Sequence, residues 1–390
     1  MGISMKQAVS IQRCQAYDLP AVRDGLAQVL AGLGGWAPYI QKGDRVLLKA
    51  NLVMRKHPND AATTHPAVVQ AIAESLIAYG ASVVIGDSPG GPFTEGLLRS
   101  LYAATGMAQA ATASGASLNF NTKSFTCENP LGQALPRLVM TDMLNDVDKV
   151  ISVAKLKTHG MMAYTGAVKN MFGTIPGTVK AEYHLHHPSH SEFADALIDI
   201  CLCAKPVLSF LDGITAMEGH GPTSGKPCPL HLLMAANDPF ALDKTACAII
   251  GLAETNVPIL VQAQKRKLCG AGLSRVNFTG VPWQALAVTD FDVPETSSIL
   301  TFRRLPTPIK WFISHNLQPS PVFAHDLCLG CGDCVESCPV GLIELRDKKP
   351  YAQLDTCIRC FCCQELCPHK AISVRRPFLL RAFSRSKRQR

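Results

Sequence analysis

The stretch Cys328-Leu329-Gly330-Cys331-Gly332-Asp333-Cys334-Val335-Glu336-Ser337-Cys338-Pro339 spells C-x2-C-x2-C-x3-C-P. Cys357-Ile358-Arg359-Cys360-Phe361-Cys362-Cys363-Gln364-Glu365-Leu366-Cys367-Pro368 spells it again. Two-residue spacings let three thiolates converge on one face of a cubane, because the loop between them curls and turns its backbone N–H groups inward. The proline after the fourth cysteine stops the loop and starts a new direction. In doubled runs of this kind the fourth cysteine of each run ligates the other cluster. The expectation is therefore two [4Fe–4S] clusters, one on Cys328, Cys331, Cys334 and Cys367, the other on Cys357, Cys360, Cys363 and Cys338. Structural zinc is the weaker reading, since its sites pair C-x2-C units and do not use triplets with a trailing Cys-Pro. A disulfide framework belongs to secreted chains. Cys362 falls out of register inside the second triplet and reads as a spare thiol.

Outward from this module, 390 residues suffice for two or three domains. A hydrophobic fraction of 47% against 17% charged residues allows a large core and argues against disorder. No apolar run reaches the ~18 residues of a membrane span, and the stretch Met1 to Asp18 lacks the apolar centre of a signal peptide. Sixteen cysteines then imply a reducing compartment and metal use, so a cytoplasmic location is expected. The net charge of +8 is concentrated between Arg375 and Arg390, which holds seven positive residues and leaves the rest of the chain nearly neutral.

Ahead of the module the pattern is α/β. Ala8 to Cys14 and Arg45 to Val53 read as strands, the second a continuous apolar run suited to a buried parallel strand. Pro66 opens a helix reaching Tyr79, and Ala81 to Gly86 is a further short strand ending in Asp87-Ser88-Pro89-Gly90-Gly91. A helix near Thr94 to Thr105, strands at Lys149 to Leu156, Pro206 to Leu211 and Leu232 to Ala236, and helices at Glu192 to Cys203, from Pro239 and over Asn256 to Lys267 continue it. The predicted organisation is a large, mostly parallel-sheet α/β domain over 1–302, a Pro-rich linker over 303–321, the small cysteine module over 322–374 and a basic tail over 375–390.

Candidate chemistry gathers at predicted strand ends, where open α/β sheets bind ligands. Lys155-Leu156-Lys157-Thr158-His159-Gly160 ends a strand, and Gly166-Ala167-Val168-Lys169 follows with Gly173 and Pro176-Gly177. Ammonium groups beside Gly-rich turns suit an anion; ordinary solvated lysines are the bland alternative. His184, His186, His187 and His190 could supply an additional metal site or a proton-transfer group, with His184 and His187 favoured. Asp87 and Ser88 could cradle an anion or bind a metal. Asp212-Gly213, running on to Met217-Glu218-Gly219-His220-Gly221-Pro222, and Asn237-Asp238 with Asp243 and Lys244 fall at further strand ends. Gly225-Lys226 fails as a P-loop because Pro227 follows the lysine, and neither a dinucleotide fingerprint nor a nucleophile elbow is present.

Leu48-Lys49-Ala50-Asn51-Leu52, Thr64-His65-Pro66, Gly86-Asp87-Ser88, Lys155 to His159, Thr165 to Gly177, Asp212 to Pro222 and Asp238 to Asp243 together resemble the family catalogued as domain of unknown function 362, over roughly residues 6 to 280. The cysteine module resembles dicluster ferredoxins, which implies a ferredoxin-like α+β fold. A more distant similarity is to the nickel-pincer lactate racemases. That similarity implies a site built from His159, Lys169 and His184, while Gly166-Ala167-Val168-Lys169 lacks the second Gly and the Arg of their attachment motif.

These readings converge on an iron–sulfur oxidoreductase or electron-transfer protein. Lys155, Lys157 and Lys169 would hold a small anionic substrate or cofactor, His159 or His184 would move a proton, and a redox partner protein would exchange electrons with the clusters. Two other classes stay open: a sensor or maturation protein that binds without turnover, and a metal-dependent isomerase. The tail interleaves Phe378, Leu379, Leu380 and Phe383 with basic residues, which suits peripheral contact with an anionic membrane or an acidic partner.

Overall fold

The computed structural model describes residues 7–293 and 319–375. Of the linker expected over 303–321 and the tail expected over 375–390, residues 303–318 and 376–390 lie outside the described residues. The α/β domain opens with β1 (Ala8–Arg13), α1 (Leu19–Ala31), β2 (Arg45–Ala50), α2 (Pro66–Tyr79) and β3 (Ser82–Gly86). It continues through α3 (Glu95–Ala104), α4 (Met107–Ser114), β4 (Ser117–Leu118) and an antiparallel hairpin, β5 (Ser124–Glu128) with β6 (Arg137–Thr141). Next come β7 (Lys149–His159), β8 (Ala163–Thr165), α5 (Ala167–Asn170), α6 (Lys180–His186), α7 (His190–Ala204), β9 (Leu208–Glu218), β10 (Lys226–Ala236), α8 (Pro239–Ile249), α9 (Pro258–Lys265) and β11 (Asn277–Gly280).

Local chemistry explains the principal boundaries. Pro66 occupies the first turn of α2, where its missing N–H costs nothing, and His65 accepts from Ala67 N–H. Gly80 ends the helix at φ 107°, a left-handed conformation that a side chain would disfavour. Asp238 caps α8 in front of Pro239, and Ser189 with Glu192 forms a reciprocal capping box on α7.

The sheet runs β11-β1-β10-β9-β7-β2-β3-β4, with β8 folded back on β7. Strands β9, β7, β2, β3 and β4 are mutually parallel, while β10 is antiparallel to both β9 and β1. The fold class is thus a mixed, mostly parallel sheet covered by helices. Three apolar clusters fill the spaces around it, and all but the first residue of β7 are buried. The sheet is therefore the rigid floor from which the ends of β2, β3 and β7 project.

The cysteine module is built from two small antiparallel pairs. One joins β12 (Ser320–Phe323) to β15 (Ile372–Arg375), and the other joins β13 (Ile343–Arg346) to β14 (Lys349–Ala352). Pairing begins at Ser320, so the last residues of the stretch expected to be linker already belong to a strand, as does Arg375 from the expected tail. Among the described residues no helix is long and apolar enough to cross a membrane.

Candidate functional site

The carboxyl ends of β2, β3 and β7 open on a cavity of about 570 Å3 whose outer wall is the cysteine module, Cys362, Glu365, Leu366 and Pro368 of the second run with Asp333, Glu336 and Ser337 of the first. Lys49 ends β2 and is 1% exposed; its Nζ sits 2.8 Å from an Asp87 carboxylate oxygen and donates to Ala50 O (2.6 Å) and Asn170 Oδ1 (3.0 Å). The other Asp87 oxygen accepts from Leu52 N–H at 2.7 Å. Asp87 is thus engaged by a lysine and a backbone amide and offers no open cradle for an anion. A side chain at position 173 would collide with this ion pair, which is the physical use of Gly173.

Lys157 projects from β7 and donates to Asn51 Oδ1 (2.8 Å) and Ala62 O (2.6 Å). Burial pulls its pKa down to about 7. Lys180, at the start of α6, donates to the carbonyls of Ser88 and Pro89 and is likewise lowered to about 7 by burial. Lys169 lies on α5, whose first amides are gripped by a buried carboxylate: Asp243 accepts from Ala167 N–H (2.6 Å) and Val168 N–H (3.1 Å). Lys169 and Lys180 both reach the Phe172 ring, at 5.7 and 5.5 Å from its centre.

His159 closes β7. Its Nδ1 accepts from Met161 N–H (3.1 Å) and Met162 N–H (3.2 Å), so the neutral ring carries its proton on Nε2. That nitrogen faces Glu365 Oε2 at 3.6 Å. Burial, helped by Lys169, lowers the His159 pKa to about 4, so the ring is neutral near pH 7. His184 stacks on Phe193 (4.1 Å between ring centres), is lowered to about 3 by burial, and lines the cavity with a buried Nδ1 that has no hydrogen-bond partner among the described residues. Ser88 Oγ and Thr165 Oγ1 are in the same position, buried, cavity-lining and unpartnered among the described residues.

Two of the expected residues lie outside this cavity. Lys155 does not line the cavity: it is bound to Asp212 on β9 (2.9 Å) and to Tyr17 Oη (2.8 Å). His187 does not line it either, because α6 turns only His184 inward and leaves His186 exposed. Lys244 is held by the carbonyls of Gly270 and Gly272, away from the cleft. Among the described residues no three His, Cys, Asp or Glu side chains come close enough to hold a single metal ion.

The cysteine module seats its second run on the cavity. Thr223 Oγ1 donates to Glu365 O (2.8 Å), Gln364 Nε2 to His220 O (3.3 Å) and Lys56 Nζ to Pro368 O (3.3 Å). Leu366 packs where a side chain on Gly90 would stand. Within the module one small hollow is lined by Cys328, Cys331, Cys334 and Cys367. Backbone N–H groups of Gly330 and Ala371 point at Cys328 Sγ and Cys367 Sγ (3.3 Å each), and those of Leu342 and Arg359 at Cys338 Sγ and Cys357 Sγ (3.4 Å each). Burial and then Cys360, Cys357 and Cys338 raise the Cys363 thiol, which places those four sulfurs in one another's field. Four sulfurs around a hollow, with amides on Cys328 and Cys367, fit an iron–sulfur cluster, which is larger than a single ion and so spaces its ligands more widely.

Lys180 and Glu365 were not singled out by sequence reasoning. Lys180 follows the Gly-rich turn without a motif of its own. Glu365 stands two residues after the third cysteine of its run, and Glu336 occupies the equivalent place in the first run, so spacing cannot tell the two apart.

Residues 46–248 match the family described as domain of unknown function (DUF362), and residues 327–371 match the 4Fe-4S dicluster domain. A thylakoid-associated protein of Synechocystis sp. is 31% identical over 313 residues, 80% of this chain and 95% of that protein. Among solved structures, the lactate racemase apoprotein from Thermoanaerobacterium thermosaccharolyticum aligns at 11% identity and TM-score 0.36, covering 58% of this chain and 53% of that one. A Thermotoga maritima protein aligns at 11% identity and TM-score 0.31, covering 54% and 53%. The chain spans about half the length of these two solved chains.

Proposed function

This chain belongs to the DUF362 family, and from that premise we propose that it is an iron–sulfur electron-transfer protein whose α/β domain holds the anionic substrate or cofactor with which electrons are exchanged. The observation that carries this reading is the shared wall: Cys362 and Glu365 of the second run line the same cavity as Lys157, Lys169 and His184. Cys328, Cys331, Cys334 and Cys367 would hold one [4Fe–4S] cluster, and Cys357, Cys360, Cys363 and Cys338 the other. When bound, such clusters supply one-electron transfer. Within the cavity, Lys157 and Lys169 orient the anion by charge, and Lys180 joins them in place of Lys155. His159 does not line the cavity but adjoins it through Glu365, to which it presents an Nε2–H donor because its Nδ1 is occupied by backbone amides. His184 lines the cavity with its unpartnered Nδ1 and is the second candidate for moving a proton. Leu366 supplies an apolar wall on this side of the cavity.

Location is the coarser part of the reading. The relative's description as thylakoid-associated supports peripheral contact with an anionic membrane through the basic tail, made from the cytoplasmic side.

Two experiments test the proposal. Anaerobically purified protein should contain about eight iron and about eight sulfide per chain and give an exchange-coupled EPR signal on reduction; about four iron would remove one cluster from the scheme. Chemically reduced protein should be reoxidised by the small-molecule fraction of a cell extract, and Lys169→Ala should slow that step about a hundredfold, the loss expected for one positioned electrostatic contact. Unchanged reoxidation kinetics in the variant would place the reaction elsewhere.

A further inference from the structure

Eight of the sixteen cysteines belong to the cluster runs, and two of the others stand together in the α/β domain. Cys127 lies on β5 and Cys203 in the last turn of α7, 76 positions away in sequence. Their sulfurs are 2.9 Å apart, within about 1 Å of the length of a disulfide bond. Both are free thiols and both are partly exposed, so a small reagent can reach them, whereas Cys201 on the same helix is buried.

The elements that carry the pair are fixed beside each other by other contacts. Asp199, one turn before Cys203, accepts from Ala134 N–H (2.7 Å) and Leu135 N–H (2.9 Å) in the turn of the β5–β6 hairpin, and Arg266 pairs with it. The hairpin is thereby anchored to α7, and the sulfurs can join without a large backbone movement. Hydrogen bonding gives the two thiols different roles. Cys127 Sγ donates to Glu128 O at 3.5 Å, so the Cys203 thiol is the donor across the pair and Cys127 Sγ its acceptor. A Cys127 thiolate keeps that S–H donor, which favours its charged form. Cys203 has no such help: burial and then its bond to Cys127 push its pKa up to about 12.

We propose that Cys127 and Cys203 form a thiol–disulfide exchange site whose substrate is a low-molecular-weight disulfide. The Cys127 thiolate attacks one sulfur of that disulfide, forming a mixed disulfide and releasing one small thiolate. Cys203 gives up its proton and attacks Cys127 Sγ, which expels the second. The pair's two protons end on the two small thiols, and two electrons pass from the protein thiols to the small disulfide. The Cys127–Cys203 bond fastens the hairpin to the helix carrying Phe193, the ring on which His184 stacks.

The test incubates the iron-loaded full chain anaerobically with glutathione disulfide in excess over glutathione, then with the ratio reversed. Remaining thiols are alkylated and the peptides identified by mass spectrometry. A Cys127–Cys203 crosslink should form in the first buffer and revert in the second, with the iron content unchanged. While it lasts, hydrogen exchange of the β5–β6 amides should slow about thirtyfold or more. Cys203→Ser should stop at a mixed disulfide on Cys127, and Cys127→Ser should leave Cys203 unmodified. Thiols that stay free in excess glutathione disulfide, a crosslink that excess glutathione does not reverse, or one that forms only as iron is lost overturns the proposal. A mixed disulfide on Cys203 in Cys127→Ser overturns the order of attack.

Discussion

Replacing Asp212 with alanine destabilises the α/β domain by about 3–5 kcal/mol, the loss expected when one partner of a buried ion pair is removed. Asp212 is 0% exposed and Lys155 is 1% exposed, with 2.9 Å between Lys155 Nζ and the carboxylate. The same carboxylate accepts from Tyr17 Oη (2.8 Å) and from His65 N–H (3.0 Å), and the Tyr17 and His65 rings stack with centres 3.6 Å apart. One carboxylate thus ties β9 to the segment before α1 and to the first turn of α2. Without it the Lys155 ammonium group has no counter-ion, and burial, which already lowers its pKa against the pull of Asp212, acts unopposed. The unfolded chain then binds more protons than the folded one across the alkaline range, so the variant's stability rises with pH above neutrality. Denaturant unfolding at pH 7 and pH 9 measures both effects. The double variant Lys155→Met/Asp212→Leu should recover most of the loss, since a packed apolar pair has no charge to desolvate. A loss under about 1 kcal/mol in Asp212→Ala would mean that water reaches the pair.

The same pair shows where sequence reasoning stops. Lys155 and Lys157 stand two apart at the end of one strand, and nothing in their spacing separates a structural ammonium group from one that faces a ligand. The neighbour decides: β9 carries Asp212 opposite Lys155, whereas a register shift before Lys157 turns that side chain toward Asn51 and Ala62. The helices with strong punctuation were legible, with Pro66 to Tyr79 read to the residue because Pro opens and Gly closes it. Strand β7 was read short, ending at Leu156, because Lys157, Thr158 and His159 are polar; pairing with β8 is what extends it. The antiparallel turn of β10 was invisible, since a strand buried on both faces reads the same in either direction. Of the residues around the cavity, Lys157 and Lys169 were singled out from a strand end and the Gly-rich stretch after it, and His184 from its His-rich run, while His159 adjoins the cavity through Glu365. Glu365 was not singled out, because its role depends on how the module docks, and docking leaves no periodic trace in a sequence.

Removing the iron should unfold residues 319–375 and leave residues 7–293 folded. The module's buried core is Cys334, Ile343, Cys363, Cys367, Ala371 and Ile372, so half of what would hold it together is thiol. Two short strand pairs add little, because isolated hairpins are at best marginally stable in water. A module this small draws only marginal stability from its core, and where ligands converge only in the folded state, binding energy is folding energy. Contacts to the α/β domain cannot substitute: Thr223, Gln364 and Lys56 supply single hydrogen bonds, Glu365 faces a neutral His159 ring at 3.6 Å, and the Lys370–Asp60 ion pair is surface-exposed at 4.0 Å. The large domain has no such dependence, since its three apolar clusters are filled by aliphatic and aromatic side chains. Hydrogen exchange before and after chelation under anaerobic reducing conditions separates the two. Amides of β12 and β15 should lose their protection entirely, while those of β7 and α7 keep theirs. In the large domain the change should be confined to what the second run covers, the loop at Gly90 and the segment from His220 to Thr223. Protection retained in β12 and β15 after complete iron removal would show that the module folds without clusters, and the cysteine runs would then need another purpose.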